Sequence, residues 1–250
     1  MELGLEDARV LVAGGSRGIG AAIVRGFLDE GARVVVAART RADLDRLAET
    51  LDAGDRLVTI ACDVGDAGEC ARLVDEARAA LGAVDVLCAN ATANAGGASE
   101  ADYRDSFDVD LMQSVRLTDA LRAAQPRRPL TVVATASING KAGDSVFHGY
   151  GALKAALLAW VKYAAVAFGP EGTRVNAVAP GATYFEGGFW DDVLHDDPEQ
   201  FARVVDSIPL GRMGSAEQVA DVVVFLASRR ASQVNGATVL VDGGEYKGVA

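Results

Sequence analysis

Cysteine is scarce in this chain: three in 250 residues, Cys62, Cys70 and Cys88, with no Cys-x-x-Cys pair among them. So odd and sparse a count speaks against a disulfide framework and against a thiolate zinc site. Buried apolar thiols are the simpler expectation. Histidine is scarcer still. His148 and His195 have no ligand-like spacing and read as surface or pocket-edge side chains. Basic residues are outnumbered, 24 Lys and Arg against 35 Asp and Glu, for a net charge of −11. That balance argues against a nucleic-acid partner, which needs a basic footprint, and against an anionic membrane surface. The opening Met-Glu-Leu-Gly-Leu-Glu-Asp lacks the basic-then-apolar plan of a secretory signal. The most apolar stretch, Ala155–Phe168, is interrupted by Lys162 and is too short to span a bilayer. Together these absences set the expectation of a cytoplasmic protein with no membrane partner and no metal. No Pro/Gly/Ser-rich linker divides the chain and no internal repeat is visible, so one domain over 1–250 is expected.

What is present is core material. Half the residues are hydrophobic and 24% are charged, a balance that favours a large packed interior. Short β-branched runs recur at Arg9–Ala13, Arg33–Ala38, Leu57–Cys62, Val84–Ala89, Leu130–Ala136, Arg174–Ala179 and Thr238–Val241. They are mostly apolar rather than alternating, as strands covered on both faces should be. Between them apolar residues fall at helical spacing: Ile23, Phe27 and Leu28; Leu44, Leu47 and Leu51; Leu73, Val74 and Ala77. Thr40-x-x-Asp43, Ser99-x-x-Asp102 and Ser215-x-x-Gln218 have the form of helix-start capping boxes. This β-α alternation predicts an α/β fold, a single doubly wound Rossmann-type domain whose parallel sheet has about seven strands flanked by helices. The segment Thr183–Ser207 breaks the rhythm and reads as an excursion over the carboxyl edge of the sheet, where ligands bind in this architecture.

Ala13-Gly-Gly-Ser-Arg-Gly-Ile-Gly20 follows the first strand and opens the first helix. Gly14, Gly18 and Gly20 permit tight turning and close backbone approach, and the helix N-terminus attracts a pyrophosphate. A carboxylate about 20 residues past the glycines would take the 2′-hydroxyl of NAD. Position 38 is instead Ala, and Arg39 follows. Arg17 adds a second cation in the loop. Guanidinium groups with no acid between them suit a 2′-phosphate, which Arg can engage bidentately. NADP is therefore the expected cofactor.

Tyr150 and Lys154 are four apart in His148-Gly-Tyr-Gly-Ala-Leu-Lys, so on a helix they share one face. A phenol with a pKa near ~10 is a poor acid at neutral pH unless a cation stabilises its phenolate. Lys154 can supply that charge, and the Ser137 hydroxyl could hold a carbonyl oxygen beside it. These are the parts for passing a proton to or from an alcohol oxygen while hydride moves at carbon. Taken alone, such a pair also fits an ordinary surface contact.

With the glycine loop 14–20, Cys62-Asp63-Val64, Asn90, Ser137, Tyr150-x-x-x-Lys154, Asn176-Ala-Val-Ala-Pro-Gly181, Pro209-Leu-Gly-Arg-Met-Gly214 and Val241-Asp-Gly-Gly244 in this order and spacing, the chain resembles the short-chain dehydrogenase/reductase family over nearly its whole length. The resemblance implies roles. Tyr150 is the proton-transferring acid/base. Lys154 favours the phenolate and binds the nicotinamide ribose, which Tyr150 also touches. Ser137 holds the substrate oxygen. It further implies cofactor contacts from Gly14, Ser16, Arg17, Gly18, Ile19 and Gly20 of the loop, from Asp63 and Val64 at the adenine, and from Asn90 near the ribose. Pro180, Gly181 and Thr183 cover the nicotinamide. For Asp63 and Thr183, capping or turn formation is an equally simple role. A homotetramer is implied too, with helices around 100–124 and 148–168 forming one interface.

The chain departs from the family pattern at three places. Ala89-Asn-Ala-Thr92 ends in Thr where the family has Gly, and a second Asn-Ala-Gly at 94–96 lies too near the next helix to replace it. Val109-Asp110-Leu111 carries Asp where the family has Asn. Asp110 could pair with Lys154 directly or through water, and its anion would partly oppose the lysine charge, shifting the pH optimum. Phe185 stands where a threonine is common, so the cover should be more apolar.

In the excursion, Tyr184, Phe185, Phe189 and Trp190 accompany Glu186, Asp191, Asp192, Asp196 and Asp197. Either the aromatics line a pocket under an acidic rim, or they pack on the domain while the acids face water. The expected function is NADP(H)-dependent interconversion of a secondary alcohol and a ketone of small to medium, partly apolar substrates. Arg127 and Arg128 form a small basic patch compatible with a 3-oxoacyl-carrier-protein reductase. A cofactor-binding regulatory protein with little turnover is the alternative of another class, supported by Thr92 and Asp110 and opposed by the complete Ser-Tyr-Lys set.

Overall fold

Seven strands form one sheet, every neighbouring pair parallel. The protein is described by a computed structural model covering residues 2–93, 96–143 and 146–249. The strands are β1 (Arg9–Ala13), β2 (Arg33–Ala38), β3 (Leu57–Ala61), β4 (Val86–Ala89), β5 (Thr131–Thr135), β6 (Arg174–Pro180) and β9 (Thr238–Val241), and they align in the order β3-β2-β1-β4-β5-β6-β9. The order runs outward in both directions from β1 and β4, so a crevice opens between the ends of those strands, where this architecture binds ligands. The seven-stranded, doubly wound α/β fold is as the sequence predicts.

Strand residues alternate between two cores. Leu11, Val35, Leu87 and Val132 face one side with α3 (Ala67–Leu81), α5 (Gln113–Ala124) and α6 (His148–Phe168). Val10, Val12, Val34 and Val36 face the other with α1 (Gly18–Asp29), α2 (Arg41–Leu51) and α9 (Ala216–Ala227). That two-sided cover explains why the strands read as continuous apolar runs.

The fourth strand starts two residues later than its apolar run. Val84 is buried, but its N–H donates to Gln125 Oε1 at 3.0 Å and its carbonyl accepts from Gln125 Nε2 at 2.6 Å. A side chain takes the place of a strand partner there. The boxes at Ser99 and Ser215 form as expected, opening α4 (Glu100–Ser106) and α9. Thr40 precedes α2 without a side-chain cap, whereas Asp66, which the spacing rule missed, caps α3 by accepting from Glu69 N.

Between α4 and α5 the helix widens into a π-helical segment, Phe107–Met112. Such segments are rare and often mark functional positions. The excursion folds as β7 (Thr183–Tyr184), α7 (Phe189–Asp196) and α8 (Pro198–Ser207), with β7 pairing β8 (Gly214–Ser215). One expectation is corrected. The apolar stretch read as 155–168 belongs to a longer helical segment, His148–Glu171, of mean hydropathy 1.4, which by length and composition is long enough to cross a membrane. It packs on β6 through Leu157, Val161 and Ala164, so its inner side belongs to the core.

Candidate active site

The β1-to-α1 turn supplies one wall of a cleft of about 640 Å³ along the carboxyl edge of the sheet. Gly14, Ser16, Arg17 and Ile19 line it. Gly18 and Gly20 do not; they are needed for packing. A Cβ on Gly20 would lie 2.0 Å from the Gly14 carbonyl oxygen, and Gly18, at φ +53°, carries the Phe185 ring against it. Among the described residues no side chain caps the start of α1. Its first N–H groups are open to an anion, as a helix N-terminus allows.

Arg39 lines the same cleft beyond β2, exposed and with no protein partner among the described residues. Arg17 is placed differently from the expectation of a paired guanidinium site. Its Nη1 donates to the Gly187 carbonyl at 2.9 Å, tying the glycine loop to the excursion. Arg39 is thus the better placed of the two for a 2′-phosphate.

Cys62, Asp63, Val64 and Val109 line the cleft past β3. Asp63 Oδ1 accepts from Gly65 N at 2.9 Å, so it builds its own turn while facing the cleft. Asn90 holds the floor: Nδ2 donates to the Gly14 carbonyl at 2.8 Å, and Oδ1 accepts from Thr135 Oγ1 at 2.9 Å. Burial pushes the Cys62 thiol from 9.0 up to about 12 and the Cys70 thiol up to about 11; Cys88 rises for the same reason. Ellman's reagent at pH 8 should therefore label the native protein negligibly and label all three thiols after unfolding. The thiols also bear on alkaline stability. Folded, they keep protons that unfolded thiols lose near 9.0, so their contribution is present below that pH. It is lost as pH rises through about 11 and then about 12. Chemical denaturation midpoints between pH 8 and 11 should fall accordingly.

Ser137, Tyr150 and Lys154 line the part of the cleft beyond β5. Ser137 Oγ accepts from Asn139 N at 3.1 Å, which leaves its proton to donate. Tyr150 and Lys154 stand on successive turns of α6, with Lys154 Nζ 5.4 Å from the Tyr150 ring centroid. Lys154 is buried. Nζ donates to the Thr135 carbonyl at 2.8 Å and lies 3.2 Å from Asp110 Oδ1. Asp110, in the π-helical segment, is fully buried. Of the two pairings open to it, the direct one forms. The contact has an ion pair's distance without a hydrogen bond's alignment.

Asp110 Oδ2 also accepts from Ala93 N at 3.4 Å, and Gln113 Nε2 bonds the carbonyls of Ala91 and Val109. The strand-end loop carrying Thr92 is thus strapped to the π-helical segment, and Thr92 lines the cleft. Of the second Asn-Ala-Gly, residues 94 and 95 lie outside the described residues.

Pro180, Gly181 and Thr183 line the end nearest the excursion, where Thr183 Oγ1 donates to the Gly181 carbonyl at 3.0 Å. The excursion's two readings divide by residue. Phe185, Phe189 and Trp190 line the cleft. Tyr184 does not; it packs on Phe201 and donates to Asp191 Oδ1 at 2.8 Å. Phe147, which no motif singled out, joins Tyr150 at a 6.0 Å centroid distance and Phe189 at 5.4 Å. Glu245 also lines the cleft and carried no sequence signal beyond following the Asp-Gly-Gly turn.

The comparisons with known proteins agree with this geometry. Residues 13–245 match a family described as enoyl-(acyl carrier protein) reductase. Isoepoxydon dehydrogenase of Penicillium expansum is 37% identical over 251 residues, covering 98% of this chain and 97% of its own. The 3-oxoacyl-[acyl-carrier-protein] reductase of Escherichia coli is 31% identical over 249 residues, covering 98% and 99%. The solved structure of L-sorbose reductase from Gluconobacter frateurii, complexed with NADPH and L-sorbose, superposes with a TM-score of 0.91 at 28% identity, covering all of both chains. With its parallel sheet, glycine loop and Ser-Tyr-Lys cleft, the chain belongs to the short-chain dehydrogenase/reductase family, oxidoreductases that act on CH–OH groups with a nicotinamide cofactor.

Proposed function

We propose that this protein is an NADP(H)-dependent oxidoreductase that interconverts a secondary alcohol and a ketone. The observation that carries this reading is one cleft with Ser137, Tyr150 and Lys154 at one end and, at the other, Arg39, which has no protein partner among the described residues. The residues fit the cofactor: open N–H groups at the start of α1 for the pyrophosphate, Arg39 for the 2′-phosphate, and Asp63 and Val64 beside the adenine. Bound there, the nicotinamide supplies or accepts hydride. The protein's own part is proton transfer and positioning. In reduction, Ser137 Oγ donates to the carbonyl oxygen and Tyr150 passes its phenolic proton to it. Lys154 stabilises the phenolate left behind. In oxidation the phenolate removes the alcohol proton. Phe147, Phe189 and Trp190 exclude water from the reacting end.

Arg39→Ala should raise KM for NADPH on the order of tenfold or more and leave KM for NADH nearly unchanged, since one charge-assisted phosphate contact is lost. Initial rates with both cofactors decide the point, and a clear preference of the unaltered protein for NADH would overturn the assignment.

A free substrate fits better than a carrier-bound one. Arg128 is engaged by Asp85 at 2.8 Å, which Arg9 also holds at 2.7 Å. Both Arg127 and Arg128 precede β5, at the sheet edge opposite the cleft. We also infer a homotetramer. On α6 Tyr163 is 77% and Val166 72% exposed, an apolar outer side suited to another copy. Sedimentation showing a monomer would remove that part. The three buried free thiols support a reducing, cytoplasmic setting.

A further inference from the structure

Glu245 is the one acidic side chain of the carboxyl-terminal segment that lines the cleft, and the reaction as described gives it no task. It stands at the excursion's root. Its Oε2 accepts from Ala182 N at 2.7 Å, and a Cβ on Gly181 would lie 2.4 Å from that oxygen. Among the described residues nothing donates to Oε1. The turn holding it is closed by hydrogen bonds to one side chain. Asp242 Oδ1 accepts from Gly244 N and Oδ2 from Tyr246 N, both at 2.9 Å. The Tyr246 ring lies 5.8 Å from Lys141 Nζ, just past the Ser137 turn. The carboxyl therefore sits against the covering segment, while the neighbouring Tyr246 ring faces the lysine that follows the Ser137 turn. Burial raises its proton affinity. The cleft also carries an aromatic cluster, with Phe189 in edge contact with both Phe147 and Trp190.

We propose that Glu245 is a specificity residue that accepts a hydrogen bond from a second hydroxyl of the substrate, close to the reacting carbon, so that the protein acts on hydroxyketones and the corresponding diols. This rests on the alcohol–ketone reading above. The aromatic cluster then takes the apolar CH face of the substrate and the carboxyl its hydroxylated side. A half-buried carboxyl lining the cleft that pairs with a substrate hydroxyl discriminates against the analogue that lacks it, because that pairing is then lost.

The test compares 2-hydroxycyclohexanone with cyclohexanone as substrates for NADPH-dependent reduction. The unaltered protein should favour the hydroxyketone in kcat/KM by on the order of tenfold or more. Glu245→Met should collapse that ratio toward one, and Glu245→Gln, which keeps an acceptor for Ala182 N, should lower it less. If Glu245 only anchors the excursion, both ketones lose kcat/KM together and the ratio stands unchanged in either variant, which overturns the proposal. Calorimetric binding of trans-1,2-cyclohexanediol and cyclohexanol to the NADP-loaded protein separates this from the reaction assignment. Should neither ketone be turned over, the reaction assignment fails. Tighter diol binding lost in Glu245→Met would still uphold the Glu245 assignment, and equal binding of diol and alcohol would overturn it.

Discussion

Tyr150→Phe is expected to lower kcat for carbonyl reduction by about 10²–10⁴-fold, the usual worth of a positioned general acid. The substitution removes only the phenolic oxygen. The ring contact with Phe147, at a centroid distance of 6.0 Å, is retained, so the wall of the pocket should persist. NADPH binding, followed by fluorescence, should weaken far less than turnover, because the glycine loop, Arg39 and Lys154 are untouched. Residual turnover within tenfold of the unaltered protein would show that another group delivers the proton. The same variant addresses the alternative of a cofactor-binding protein with little turnover. A broad carbonyl screen in which unaltered protein and Tyr150→Phe are equally inactive, with tight NADPH binding in both, would favour that alternative.

Asp110 carries the second large effect, and its variants should separate charge from packing. Lys154 and Asp110 are 2% and 0% exposed in their side chains, so this is a buried pair. Deleting one partner of such a pair typically costs about 3–5 kcal/mol, because the other charge is left buried without compensation. Asp110→Ala should show a loss of that order in urea denaturation. It should also loosen the loop around Ala93, whose N–H bonds Asp110 Oδ2 at 3.4 Å. Asp110→Asn keeps the volume and an oxygen acceptor, and Lys154 retains the Thr135 carbonyl at 2.8 Å. Its stability loss should be smaller.

Asp110→Asn also removes a negative charge 3.2 Å from Lys154 Nζ. That loss of charge should alter kcat more than KM for the cofactor. Unchanged kcat in Asp110→Asn would leave Asp110 a purely structural residue.

Much of this site was legible along the chain because its chemistry is local. Tyr150 and Lys154 meet through helical spacing, and the glycine loop joins a strand to a helix without help from distant residues. Arg17 shows where local reading ends. Its position in the loop suggested a phosphate ligand, yet the Gly187 carbonyl, 170 residues away, claims it. Val84 shows the same for secondary structure: its apolar character is that of a strand, and only the fold brings Gln125 to occupy its backbone.

The fold class, the strand order's raw material and the choice of Ser137, Tyr150 and Lys154 as the candidate site, which the fold brings into one cleft, follow from the sequence by itself. Period, capping and turn chemistry act over a few residues, and the parallel sheet has few ways to assemble such units. Three things depended on tertiary structure: the direct pairing of Asp110 with Lys154, the division of the excursion into Phe189 and Trp190 inside and Tyr184 outside, and the arrival of Glu245 at the cleft. Each joins segments far apart in the chain, through a π-helical widening, an aromatic contact or a terminal turn. No local pattern encodes which of many distant groups will be brought within a few ångströms.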